Sequence, residues 1–354
     1  MKTKPVTHTR GIIHCCVLLL LTTPLFARES TDVIIMKNGD HLTGEIKGLN
    51  AGVLYMSMQY ILGTSQVQWS NVARLESKQL FLVKTEDGSV YTGTLNTADT
   101  PSGRPMEIAV VETSAKEVIN STRIVEMDTT SSKFLQRFNG SINTGIIYSK
   151  GNQSTQYNLG SEISYPRPRW GAQADYNSTL SSSTGATAST RNQLDVDVFR
   201  LLRWDNWFYE GLGTFLQSSE QGIIRQVTFG GGVGRYLKNS NAARVSLAGG
   251  LVGQSTAYQS NIVTQKLGSG LIAANLQFFR FNKTNGNVQA TLMPAFSEPG
   301  RVKFNLNASY YIKLTGNLSW NASFYGNWDN RPPNGLSGSD YGSSSGLSWT
   351  FGNK

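Results

Sequence analysis

The sequence predicts an all-β protein: an antiparallel transmembrane β-barrel of about twelve strands, preceded by a duplicated small β domain of SH3-like or Sm-like type. Three observations carry this expectation. From Phe138 onward apolar and polar residues alternate in long runs with a period of two, the signature of strands with one apolar face. Aromatic residues recur near one end of those runs. Closer to the amino terminus one short motif occurs twice, Gly39 and Gly44 returning as Gly88 and Gly93, an offset of 49 residues.

The alternation is plainest from Val302 to Trp328. Val302, Phe304, Leu306, Ala308, Tyr310, Ile312 and Leu314 form one set, and Lys303, Asn305, Asn307, Ser309, Tyr311 and Lys313 the other. After Thr315-Gly316-Asn317 the pattern resumes through Leu318, Trp320, Ala322, Phe324 and Trp328, so the stretch reads as a hairpin. At roughly 3.3 Å per residue and a tilt of about 40°, the first run rises about 30 Å, the thickness of a bilayer core. A strand of that length, apolar on one face and Asn/Ser-rich on the other, fits lipid outside and water inside a closed barrel. The soluble alternative is a sandwich or lipocalin-like barrel with the apolar face turned inward.

At the amino terminus Lys2, Lys4 and Arg10 precede the apolar run Val17 to Leu21, and Ala27 is a plausible cleavage point, so residues 1–27 read as a signal peptide. Both cysteines, Cys15 and Cys16, lie in this segment, which leaves the remainder without a disulfide or thiolate chemistry. Residues 1–27 hold three basic and no acidic residues, so removing them takes the formal charge from +9 to +6. In an exported chain that balance points to lipid phosphate or peptidoglycan carboxylate and away from nucleic acid.

Residues 28–128 contain the repeat. Val33 to Ile46 aligns with Leu80 to Leu95, each copy carrying an Asn-Gly or Asp-Gly hairpin turn followed five residues later by a second Gly. Further alternating runs complete a five-strand unit in each copy. Units of this kind bind proteins or pack together more often than they catalyse. His41, in the first turn, has no Cys or acidic cluster beside it and is read as a surface residue, not a metal ligand. A short polar linker, 129–133, leads to the barrel, 134–354.

The barrel runs are expected near 138–149, 154–165, 170–181, 191–203, 207–218, 223–237, 242–254, 265–281, 286–297, 301–314, 317–329 and 341–352. Connections after even-numbered runs are short, and several after odd-numbered runs are longer and rich in Ser, Thr and Gly, as periplasmic turns and outer loops are. Phe138, Tyr165, Trp170, Trp204, Trp207, Tyr236, Phe281, Tyr310, Trp320, Trp349 and Phe351 are assigned to an interfacial girdle beside the short turns.

Gly145 with Tyr148 to Thr155, Phe229 to Leu237 and Leu247 to Leu251 resemble the barrel of the family called domain of unknown function 481, often described as salt-stress-induced outer-membrane proteins. Asn38-Gly39 with Gly44, and Trp69 to Val72, are similar to the small domain that often precedes that barrel. The resemblance implies an outer-membrane location and no catalytic residues to transfer. The chain departs from the usual outer-membrane ending, since Phe351 is followed by Gly352-Asn353-Lys354.

Three functional classes compete: a narrow channel or binding barrel for small polar solutes, in the envelope or salt-stress response; a non-conducting anchor that presents its periplasmic domain; and an outer-membrane enzyme. Barrel hydrolases commonly use His as general base, and residues 128–354 contain none, so no catalytic, cofactor or metal site is assigned. The residues expected to line the lumen are Glu162, Asp175, Asp195, Asp197 and Glu210 on one arc and Arg244, Lys303 and Lys313 on the other. Water separates the two arcs if the lumen is wet; in a dry plug they pair across it. Expected partners are outer-membrane lipid and lipopolysaccharide around the barrel, and a periplasmic protein or peptidoglycan at residues 28–128.

Overall fold

The computed structural model describes residues 30–349, apart from 99–104, 113–114, 152–153, 186, 204, 220–221, 260–263, 317 and 333–337. The expected signal peptide, both cysteines, Trp204 and Phe351 therefore lie outside the described residues. Secondary structure is strand throughout, with three 3₁₀ turns. No helix among the described residues is long and apolar enough to cross a membrane. The strands form two sheets, one of nine strands and one of twelve.

The nine-stranded sheet contains both copies of the repeat. Copy one is β1 (Asp32–Met36), β2 (His41–Asn50), β3 (Val53–Ser57), β4 (Thr64–Gln68), a 3₁₀ turn at Trp69–Asn71, and the first half of β5 (Val72–Thr85). Copy two is the second half of β5, then β6 (Val90–Thr97), β7 (Glu107–Glu112), β8 (Ala115–Asn120), a 3₁₀ turn at Ser121–Arg123 and β9 (Ile124–Thr129). The repeated glycines have separate physical reasons. Gly39 and Gly88 sit in turns at φ +93° and +81°, where a side chain is strained, while a Cβ on Gly44 or Gly93 would collide with Ser57 O or Val111 O of the neighbouring strand.

The copies are not separate barrels. The closing strand of copy two crosses to copy one, with Gly48 opposite Asp128 and Leu49 opposite Met127. In return the closing half of copy one pairs with β6, Glu76 opposite Asn96. This exchange makes β5 continuous through both copies and builds one shared core, in which Ile34, Ile46, Leu54, Met56, Leu75, Phe81, Ile108 and Ile124 are fully buried. β9 runs through Thr129, and Thr130 N donates to Leu80 O (3.0 Å), so the first two residues of the expected linker extend the domain.

The twelve-stranded sheet runs from β10 (Asn139–Ser149) to β21 (Ser339–Trp349) with every strand hydrogen-bonded to the next in chain order, all antiparallel. Its members between these are β11 (Ser154–Pro166), β12 (Trp170–Ser182), β13 (Ser189–Leu201), β14 (Trp207–Ser218), β15 (Ile223–Asn239), β16 (Ala243–Tyr258), β17 (Gln265–Arg280), β18 (Thr284–Pro294), β19 (Val302–Thr315) and β20 (Leu318–Asp329). The twelve expected runs correspond to these strands one for one. Among the described residues no ladder joins β10 to β21.

This sheet has almost no apolar interior. Among the described residues its buried hydrophobic residues are Phe208, Ile223, Leu267 and, just past β18, Ala295, and every other member of the buried core belongs to the small domain. The large apolar side chains of the alternation instead stand exposed on one face, at least one on each strand: Ile146, Ile163, Trp170, Val198, Tyr209, Phe229, Leu251, Ile272, Leu292, Leu314, Trp328 and Leu347. The polar set faces the hollow side, where a cavity of about 710 Å³ is bordered by Gln254 of β16, Ser269 of β17, Lys303 of β19 and Asn327 of β20. Outward rings touch from strand to strand, as in Phe138 with Tyr165 (4.8 Å), Tyr165 with Trp170 (5.7 Å) and Tyr310 with Trp320 (5.7 Å).

Tyr236 departs from the girdle expected of it. It faces the hollow side, its ring 4.9 Å from Phe208 and beside Arg244, because the alternation of β15 puts the even-numbered residues inward.

Because the two copies share one core, they should unfold together. Phe81→Ala, which removes a fully buried ring at the point where the strands exchange, should cost about 3–5 kcal/mol. Near-ultraviolet circular dichroism and hydrogen exchange should report one transition covering both copies; two separate transitions would refute the shared core.

Candidate functional site

The hollow face begins with the acidic strands. Register places Glu162 of β11 opposite Asp175 of β12, and Asp175 opposite Asp195 of β13, so three carboxylates lie in one row across adjacent strands. Asp197 is on the same face one pleat along, and Glu210 of β14 is opposite Phe199. Directly opposed like charges repel, and among the described residues no ion pair reaches any of the five. Their neighbours are amides: Gln173 donates to Asp175 (3.0 Å) and Gln193 to Asp195 (2.8 Å).

The basic residues do not answer them. Lys303 Nζ donates to Gln254 Oε1 at 3.1 Å, Lys313 is exposed at the far end of β19, and Arg244 turns to Glu126 of the small domain at 3.4 Å. Among the described residues no ion pair joins the two arcs. At the opposite end the nearly buried Arg301 donates to Glu298 (2.8 Å) and Asp329 (2.6 Å), fastening the β18–β19 loop to β20. The hydrogen bond from Arg301 also holds the Glu298 carboxyl below its usual range.

The small domain covers the end of the sheet that carries the short turns. Asp205 and Asn206, at φ 37° and 62°, lie in the β13–β14 connection, which Leu202 N closes by donating to Trp207 O. From that turn Asn206 Nδ2 donates to Glu86 O (2.8 Å), and from the β15–β16 turn Asn241 Nδ2 donates to Ile124 O (2.7 Å). Between these contacts lies a cluster of charges that sequence reasoning missed. Lys84 of β5 and Glu126 of β9 are register partners and are ion-paired; Lys84 Nζ also reaches Asp128 (3.0 Å), and Arg244 reaches Glu126 from the sheet. The Lys84 ammonium stands 5.5 Å from the Phe199 ring, and Arg244 stands 6.0 Å from Tyr236.

Burial and charge oppose each other at Lys84 and Glu126. Burial disfavours the Lys84 cation, but Glu126 and Asp128 outweigh it and raise its pKa above the ordinary lysine value. Burial likewise disfavours the Glu126 anion, yet Lys84 and Arg244 hold it down at about 2. For Asp128, burial and the adjacent Glu126 charge prevail over Lys84 and push it up to about 6. The sequence signal for this cluster is a lysine directly after the apolar run Leu80 to Val83. The structure buries Lys84, whereas its counterpart in the other copy, Lys37, is exposed.

Chemically this is a site for holding and exchanging charge. Among the described residues no three His, Cys, Asp or Glu side chains gather in a metal-binding arrangement.

The cluster predicts a signed pH dependence. With its folded pKa near 6 against an ordinary 3.8, Asp128 contributes stability below pH 3.8 that is lost as pH rises through 6. Glu126, near 2 against 4.5, contributes stability above pH 4.5 that is lost as pH falls through 2. The small domain should therefore be most stable near pH 4, where the two windows overlap, and weaken from pH 4.5 to 6. Asp128→Asn should flatten that upper limb in thermal melts followed by Trp69 ellipticity; an unchanged slope would refute the assignment.

The carboxyl-terminal region, from residue 142 in β10 to residue 351, matches the family model described as "Protein of unknown function, DUF481". No curated protein matches the chain. The match spans more than half of the sequence and takes in all twelve strands of the larger sheet, and the chain belongs to the DUF481 family.

Proposed function

We propose that this protein is an outer-membrane β-barrel whose water-filled lumen takes small polar solutes, cations in preference, and whose periplasmic end is covered by its own amino-terminal domain. One observation carries the reading: every strand of the large sheet exposes large apolar side chains outward, while its polar residues face a hollow interior. Exposed apolar surface on all twelve strands exceeds what a soluble monomer tolerates, and lipid is the solvent that suits it. In lipid an unpaired strand edge is prohibitive, so β10 and β21 close against each other there.

The opposed carboxylates Glu162, Asp175 and Asp195 support a wet lumen. Three like charges in register are tolerable where water and counter-ions screen them and costly where they are dry. Contact between the small domain and the short turns supports a periplasmic position for residues 28–128, which also leaves that domain facing peptidoglycan and periplasmic proteins. The anchor reading keeps the same placement and denies the lumen a role.

The test is single-channel recording of the purified protein in planar bilayers. Asp195→Asn with Asp197→Asn removes two negative charges at constant size and should shift ion selectivity toward anions, with stability changed by no more than about 0.5 kcal/mol. Absence of any current would leave the anchor reading. Protease added to intact cells should spare residues 32–128; cleavage there would overturn the orientation.

A further inference from the structure

We propose that the small domain is a releasable lid on the lumen, and that Lys84, Glu126, Asp128 and Arg244 form its catch. This rests on the passage reading for what the lid controls, but not for how the lid is held.

The contact between the two parts is built for separation. The hydrophobic core of the small domain is complete without the sheet, since all of its members lie between Ile34 and Met127, so the lid stays folded when lifted. Among the described residues, what joins it to the sheet is discrete and largely polar: the Asn206 and Asn241 hydrogen bonds, the pair between Glu126 and Arg244, and the Lys84 ammonium against the Phe199 ring. The same two asparagines each leave a side-chain oxygen buried without a partner. A groove of about 750 Å³ also remains open between the 3₁₀ turn at Trp69 and the β17–β18 turn beside Arg280. A permanent interface would be filled and satisfied; this one is neither.

The ionic centre gives each state its own pairing. With the lid down, Glu126 is shared by Lys84 and Arg244. With the lid raised, Lys84 keeps Glu126 and Asp128, because all three belong to the lid. Arg244 is not stranded either, since Glu210 borders the same cavity of about 370 Å³ into which Arg244 projects. Arg244 therefore chooses between a carboxylate of the lid and a carboxylate of the lumen wall. A bistable choice of this kind converts a change in lumen charge into a change in lid position.

A disulfide tests the catch directly. A Cβ built on Gly52 lies 3.5 Å from Asn241 Cβ, within the range a disulfide spans, and no cysteine follows Cys16 in the sequence. In the Gly52→Cys/Asn241→Cys protein, oxidation should lock the lid and depress single-channel current, and reduction should restore it. Arg244→Gln and Glu126→Gln break the same pair from opposite sides. Each should slow disulfide formation by about tenfold, an ordinary coupling between two sites, and combining them should add little further. In the reduced protein both should raise the current. Disulfide rates indifferent to both substitutions would overturn the catch. Equal currents from oxidised and reduced protein would overturn the lid. If no form conducts, the passage reading fails, while the disulfide rates still decide how the domain is held.

Discussion

Everything in the larger sheet depends on an inverted amphipathicity. A soluble sheet turns its apolar face toward a second layer, and hydrophobic burial then stabilises the pair. Here large apolar side chains stand exposed on all twelve strands, and among the described residues only four hydrophobic residues of that part are buried. Such a sheet cannot be held together by a core. Its cohesion comes from backbone ladders between successive strands and from rings touching along the outer surface. The same inversion fixes the chemistry inside, because the residues left for the hollow face are carboxylates, amides and a few cations.

The small domain follows the opposite logic. Its stability lies in a conventional apolar core shared by two copies that trade their closing strands. The duplication thereby becomes a single rigid body, which is what a part pressed against charged turns needs to be. Lys84 is the exception inside that body. A buried lysine is costly unless fully compensated, and Lys84 is compensated by Glu126 and Asp128, with Arg244 of the sheet beyond them.

Much of this was legible in the sequence. Period-two alternation placed all twelve strands, because register in a sheet with chemically distinct faces allows no slippage, and the spacing of Gly39 and Gly44 against Gly88 and Gly93 revealed the duplication. The face of Glu162, Asp175, Asp195, Asp197 and Glu210 followed from the same parity. Other features were not legible. Strand exchange depends on which edge a strand prefers, and both copies present nearly the same edge. The charge cluster joins residues 84, 126, 128 and 244, whose proximity arises only from docking two sheets. Residue type places Tyr236 in the aromatic girdle, whereas its parity points inward, and the structure follows parity.

The connection between the two parts sets a scale for all of this. Thr130 is still bonded to the small domain and Asn139 already belongs to β10, so only Ser131 to Phe138 span the gap. Even fully extended, those residues reach about 28 Å. Arg137 shortens them further by donating to the carbonyls of Ser131 and Ser132. The domain is thus confined near its seat at an effective concentration on the order of millimolar, whatever the abundance of the protein. Return to the seat is a unimolecular event, so weak and polar contacts suffice where a separate subunit would need a large apolar interface.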